Sequence, residues 1–254
     1  MNPAFRTRPW GRRGERLSGE FQRLPPDRRL FRLLGLVGRS LDFTFRLRPR
    51  LGRPNVVDVR GIRALSLPQV FNPAWFVTSP ILIDVIAALR IPPASHVLEL
   101  CCGTGVGAIA LVRAGVRSVT AVDINPIAVH CARINIRRNR ATSHIRLLQG
   151  DLYHPVEDAR FDWIIANPPY LDGHPRTWLE RAFLGGRKGE VLSRIVEGLD
   201  RHLCPGGRAV LTYSTVAPSG RIEALVQGVG FRIVKVINHD LGFEVVSHFV
   251  IARG

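Results

Sequence analysis

Val97-Leu98-Glu99-Leu100-Cys101-Cys102-Gly103-Thr104-Gly105-Val106-Gly107-Ala108 decides the fold. An apolar run carrying one acid passes into small residues, and a second apolar stretch then begins at helical spacing. The pattern reads as a strand, a Gly-rich turn and a helix start. Glycines let backbone approach a ligand closely, and a helix N-terminus attracts electron-rich groups. The turn alone is weak, because Gly103-x-Gly105-x-x-Ala108 also satisfies a relaxed dinucleotide pattern.

The flanking sequence strengthens it. Strands are expected over residues 96–100, 118–123, 145–148, 162–166 and 208–213. Helices are expected over 105–114, 126–139 with Asn125 as N-cap, 190–203, and near 221–227. Strands separated by helices imply right-handed crossovers and a parallel sheet. Residues 231–237 and 247–252 lack an intervening helix, so an antiparallel hairpin is expected at one edge. The second strand ends in Asp123, where an acid can accept from both ribose hydroxyls of a nucleotide. The third is followed by Gly150-Asp151-Leu152, where Asp151 can accept from an adenine amino group. Glu99 would repel a pyrophosphate but attract a cationic ligand. Each acid alone also reads as a solvated strand end; in series along one sheet edge they reinforce one another.

The fourth strand runs into Asn167-Pro168-Pro169-Tyr170. The prolines cannot continue a ladder or enter a helix interior, so the chain leaves the sheet in a fixed conformation. That holds a polar amide and an aromatic ring at a strand's carboxyl end, where open α/β sheets bind ligands. A plain strand-to-turn exit is the competing reading.

Before the sheet, residues 1–25 read as a polar, mobile, Arg-rich arm. A helix is expected within 30–45, and a small hairpin from 56–59 and 64–67 around Arg60-Gly61-Ile62-Arg63. Ser79 as N-cap and Pro80 at the first helical position predict a helix running to about Arg90. Two domains follow: 1–69, a basic extension, and 70–254, the sheet domain.

The formal charge of the 254-residue chain is +16. Residues 1–63 carry 16 Arg against five acids, so most of the excess sits there. Such a segment steers a protein to RNA, DNA or another polyanion. With Lys only at 188 and 235, codon choice is the alternative source. Cys101, Cys102, Cys131 and Cys204 form no CxxC pair, so neither a disulfide framework nor a metal site is expected. No run of about 18 apolar residues occurs, and no apolar segment follows the charged start. A cytoplasmic, non-membrane protein is the expectation.

In order, Glu-Leu-Cys-Cys-Gly-Thr-Gly, Val-Asp-Ile-Asn-Pro, Gly-Asp-Leu, Asn-Pro-Pro-Tyr and Leu203-Cys204-Pro205-Gly206-Gly207 resemble the motifs of class I S-adenosyl-L-methionine-dependent methyltransferases. The resemblance covers about 70–254. It is nearest to the HemK-type glutamine N-methyltransferases and related guanine-N2 methyltransferases. Leu184-Gly185-Gly186-Arg187-Lys188-Gly189 with Arg194, and Pro68-Gln69-Val70-Phe71-Asn72-Pro73, are similar to flanking segments there. The resemblance implies an α/β, Rossmann-like, seven-stranded, mostly parallel sheet with helices on both faces. It implies a cofactor site of Glu99, Cys101, Gly103, Thr104, Gly105, Asp123, Ile124, Asp151, Leu152 and Asn167. It further implies an acceptor site of Asn167, Pro168, Pro169 and Tyr170, with Phe71, Trp75, Phe76 and Thr78 lining the pocket. Cys101 departs from the family, which usually has Gly there.

The chemistry at that exit would be methyl transfer to a planar amino nitrogen. Such a nitrogen is a poor nucleophile because its lone pair is delocalised. The Asn167 side-chain oxygen and the Pro168 carbonyl can each accept one N–H, and Tyr170 can stack on the plane. A protein glutamine, in a translation-related partner, is the leading acceptor. A guanine N2 or adenine N6 of RNA or DNA is the alternative, as is a small molecule or peptide. A non-catalytic RNA-binding descendant is a further reading. His154 and His174 read as surface residues and Trp163 as core.

Overall fold

The computed structural model describes residues 53–254 except 218–220 and 243. The expected arm and the helix within 30–45 lie outside the described residues. The elements run β1 (Asn55–Val59), β2 (Ile62–Ser66), α1 (Thr78–Leu89), β3 (His96–Leu100), α2 (Val106–Arg113), β4 (Ser118–Asp123), α3 (Pro126–Arg138), β5 (Ile145–Gln149) and β6 (Phe161–Ala166). Then come α4 (Trp178–Arg181), α5 (Glu190–Glu197), α6 (Leu199–His202), β7 (Leu203–Ser214), α7 (Arg221–Gly228), β8 (Phe231–Asp240) and β9 (Val245–Arg253).

Seven strands form one sheet in the order β5-β4-β3-β6-β7-β9-β8. The strands from β3 to β7 are parallel; β9 runs antiparallel to both β7 and β8. The central strands are buried on both faces, which explains their near-continuous apolar sequence. Leu98, Leu100, Ile164 and Ala166 pack on the face of α5 and α6, while Val97, Trp163 and Ile165 pack on the face of α1 and α2. The β1–β2 hairpin joins the second of these cores through Val59, Ile62 and Ala64. Asn135 of α3, fully buried, fixes it: its Oδ1 accepts from Leu65 N at 2.6 Å, and its Nδ2 donates to Leu65 O at 2.8 Å.

Three local expectations change. Helix α1 starts at Thr78, and Ser79 makes no cap. Pro80 is then the third helical residue, where its missing N–H belongs to a turn with no intrahelical partner anyway. The helix expected over 190–203 breaks at Gly198. A Cβ there would lie 2.2 Å from the Tyr153 ring, whose hydroxyl donates to Ile195 O at 2.8 Å. Strand β7 begins at Leu203, opposite Phe161, and bulges before Arg208 pairs with Trp163. The Cys204-Pro205-Gly206-Gly207 segment supplies the extra residues.

Where β9 joins the sheet, a polar pair is buried. Thr212 and His248 are cross-strand partners, both fully buried, and neither ring nitrogen of His248 has a hydrogen-bond partner among the described residues. Burial, then the neighbouring His239, pushes the His248 pKa down to about 4. The unfolded chain binds this proton near pH 6.5 and the folded one does not. Stability is therefore full above pH 6.5 and falls as pH drops toward about 4, by on the order of 3 kcal/mol. Urea midpoints at pH 7.5 and pH 5 should show the loss, and His248→Leu should flatten it.

No helix among the described residues is long and apolar enough to cross a membrane.

Candidate functional site

The strand order reverses between β3 and β6, and a cavity of about 360 Å³ opens there, at the carboxyl ends of the strands. Its floor is the opening turn. Cys102 N donates to Val122 O at 3.1 Å, and Gly103 N donates to Asp123 Oδ2 at 2.8 Å. Asp123 Oδ1 accepts from Asn125 N at 2.9 Å, so one carboxylate ties the turn to the start of α3. Asn125 caps α3 as expected, accepting from Ile127 N. Asp123 lines the cavity, and burial raises its pKa against the opposing effect of the Asn125, Gly103 and Ile124 amides.

Glu99 is almost fully buried at the end of β3. It lies so close to the first turn of α2 that a Cβ at Gly107 would sit 1.9 Å from its Oε1. Its Oε2 is buried without a hydrogen-bond partner. Desolvation pushes its pKa up to about 8, with the Ala108 amide pulling the other way. With that pKa the carboxyl is mainly protonated at neutral pH in the ligand-free protein. Its buried, unpartnered oxygen, in a residue lining the cavity, suits a cation or an N–H donor, either of which would favour the ionised form.

Cys101 adopts φ 58°, the left-handed region that favours glycine. This accounts for the residue type expected there and shows that the turn survives the substitution. Burial, then Asp123, Asp151 and Glu99, hold the Cys101 thiol far above the ordinary range. The thiolate is the reactive form. Iodoacetamide at pH 8 should therefore alkylate Cys101 much more slowly than a free thiol, as read by peptide mass mapping.

The cavity wall over the floor is the β6 exit. Asn167, Pro168, Pro169 and Tyr170 all line it. Asn167 Nδ2 donates one of its two N–H groups to Thr78 Oγ1 at 3.3 Å, which orients the amide and leaves the carbonyl oxygen as an acceptor. Segment 183–186 is laced to this exit: Leu171 N donates to Phe183 O, Gly185 N to Leu171 O and Gly173 N to Gly186 O. Gly185 approaches so closely that a Cβ would lie 2.3 Å from Pro169 O. Phe183 completes an aromatic cluster with Phe71 and Phe76, with centroids 4.5 to 5.5 Å apart.

Most expected site residues converge: Glu99, Cys101, Gly103, Thr104, Asp123, Ile124, Asp151, Leu152, Asn167, Phe71, Phe76 and Thr78 all line the cavity. Two do not. Gly105 turns toward α3, where a Cβ would meet Ala132 Cβ at 3.0 Å; its role is close packing, and Gly107 faces the cavity instead. Trp75 is half-buried outside the lining, because the turn from Asn72 to Trp75 directs Phe71 and Phe76 inward but not the indole. Asp151 is not free: Arg194 of α5 donates to it at 2.8 and 3.3 Å. Trp178, Phe183 and Glu244 also line the cavity. Phe183 stood next to a recognised Gly-Gly segment. Trp178 sits in a four-residue helix and Glu244 in the β8–β9 turn, and neither carried a sequence signal. His154 and His174 are exposed, and Trp163 is buried.

The profile of the methyltransferase small domain matches residues 62–247. A relative from Methanocaldococcus jannaschii, described provisionally as a protein N5-glutamine methyltransferase, is 31% identical over 183 residues, 70% of this chain and 89% of its own. A release factor glutamine methyltransferase from Rhodopirellula baltica is 30% identical over 60% of this chain, which spans 55% of that relative's length. A crystal structure of a methyltransferase from Pyrococcus furiosus superposes with a TM-score of 0.56 at 22% identity, covering 88% of this chain and 97% of that one.

Proposed function

Because the chain belongs to the methyltransferase small domain family, we propose that it is an S-adenosylmethionine-dependent N-methyltransferase whose acceptor is a glutamine side-chain amide in a translation protein. The residues fit the cofactor. Glu99 offers a buried, unpartnered oxygen to a cationic aminoacyl group, and Gly107 leaves room for it. Asp123 lines the cavity as an acceptor for ribose hydroxyls, and the turn holding it exposes backbone to the cavity. When bound, the cofactor supplies an electrophilic methyl group on a sulfonium.

The chain's own residues then position the acceptor. The Asn167 carbonyl oxygen, locked by Thr78, accepts one N–H of the acceptor NH2, and the Pro168 carbonyl accepts the other. These bonds strengthen as positive charge develops on that nitrogen, so they favour the transition state over the ground state. The Tyr170 ring provides a flat surface for a planar amide. No base is needed before transfer, since the proton becomes acidic once the nitrogen is alkylated. Phe71, Phe76 and Phe183 form an aromatic stretch of the cavity lining that suits the apolar stem of an acceptor side chain.

The observation that carries this reading is the Asn167 amide, oriented by Thr78 within a cavity that also presents Glu99 and Asp123. The glutamine acceptor is supported by the names of the relatives from M. jannaschii and R. baltica. The test is incubation with methyl-labelled cofactor, a release factor, ribosomal proteins, total RNA and a metabolite extract. Label in protein, recovered as N5-methylglutamine, is expected. Label confined to RNA or to small molecules would overturn the acceptor while leaving methyl transfer in place. No cofactor binding by calorimetry at millimolar concentration would overturn both.

A further inference from the structure

The chain's positive charge has a second centre, on the folded domain. Residues 101–149 contain seven arginines and a single acid, Asp123, which is committed to the cavity floor. Arg133, Arg137 and Arg138 are exposed on α3, and Arg140 follows its end. Asn139 draws in two more: its Nδ2 donates to Arg63 O at 3.0 Å, and its Oδ1 accepts from Arg113 Nη2 at 3.1 Å. Arg63, Arg113, Arg133, Arg137, Arg138 and Arg140 thus share the region around the end of α3.

None of these six meets a carboxylate among the described residues. Five arginines elsewhere are neutralised: Arg60 by Asp84, Arg194 by Asp151, Arg201 by Asp158, Arg221 by Asp172 and Arg253 by Asp200. Codon choice would enrich arginine everywhere, but it would not by itself deplete residues 101–149 of acids. The helix dipole accounts for Arg137 and Arg138 in the last turn, but not for Arg63, Arg113 or Arg133. Helix α3 exposes no large apolar side chain, which argues against insertion into a lipid surface. Along the helix, Arg133 lies about 12 Å and Arg138 about 20 Å from the cavity edge at Asn125. A partner held there leaves the cavity open.

We infer that this arginine cluster is a docking face for the phosphate backbone of RNA. The choice of RNA rests on the proposed translation-protein acceptor, which would be met on or near ribosomal RNA. Guanidinium groups pair phosphate oxygens in a bidentate fork, and binding of this kind weakens steeply with salt.

The test uses the full chain and a fluorescent 20-nucleotide RNA hairpin, read by anisotropy from 50 to 300 mM KCl. The triple substitution Arg133→Gln, Arg137→Gln, Arg138→Gln should weaken binding about ten-fold at 150 mM and reduce the slope of log K against log salt by about 2. The corresponding triple Arg→Lys variant should keep the slope. Both should retain the thermal shift given by S-adenosylhomocysteine, showing an intact fold. An unchanged slope in the glutamine variant overturns the inference, as does tighter binding to a DNA duplex of equal length. The binding assay contains no methyl acceptor, so it stands or falls separately from the glutamine reading.

Discussion

Replacing Asn167 with alanine is expected to lower kcat by about 10²–10³-fold, equivalent to roughly 3–4 kcal/mol of barrier. Affinity for S-adenosylhomocysteine should stay within a few-fold of the parent. The side chain is small and offers the acceptor one carbonyl oxygen, while one N–H of its amide is held by Thr78. The lost interaction is one that strengthens as charge develops, so it appears in kcat rather than in cofactor binding. Thr78→Val removes the anchor and leaves the amide, and should lose less. Single-turnover transfer rates and calorimetry separate the two quantities. Retained turnover in Asn167→Ala would remove this amide from the chemistry.

The second large effect is expected at Gly185, which touches no ligand. A methyl group there would lie 2.3 Å from Pro169 O and 3.1 Å from Pro169 C. Both are backbone atoms of the rigid Pro168-Pro169 exit, so a rotamer change cannot relieve the clash. Gly185 is also held on both sides, since its N–H donates to Leu171 O and its carbonyl accepts from Val191 N. Gly185→Ala should therefore displace Pro168 and Tyr170 by a good fraction of an ångström. A misplacement of about 1 Å costs on the order of 10²-fold in rate. Cofactor affinity should change little, because Glu99 and Asp123 lie on β3 and β4. Gly228→Ala is the control: a Cβ there meets nothing within 4 Å. A kcat for Gly185→Ala equal to that of Gly228→Ala would show that the exit tolerates movement.

The two positions differ in how they could be read. Asn167 was legible because Asn-Pro-Pro-Tyr after an apolar strand is chemically unusual wherever it occurs. Gly185 lay in a recognised Gly-Gly segment, but nothing in the sequence says that it abuts the Pro169 carbonyl. Gly105 and Gly107 show the same limit. Both belong to one turn, yet one faces Ala132 of α3 and the other faces Glu99. Which glycine lines the cavity depends on the path of α3, a distant segment. The family resemblance placed Trp75 in the pocket along with Phe71 and Phe76, whereas the turn around it directs only those two inward. The helix break at Gly198 was equally hidden, since it depends on Tyr153, which is far away in sequence.

By itself the sequence determined the order of the sheet strands and of the longer helices, the parallel sheet with its reversed final pair, the N-cap of α3 and the acids at the strand ends. These follow from local patterns: apolar periodicity, proline and glycine chemistry, and strand-end polarity. The tertiary structure alone decided that Glu99 is stripped of partners, that Asp151 is held by Arg194, and that Thr78 orients Asn167. It alone brought Trp178 and Glu244 to the cavity and gathered six arginines without a carboxylate. Desolvation, pairing and charge are properties of neighbours in space, and the folded chain sets those neighbours across separations of tens of residues.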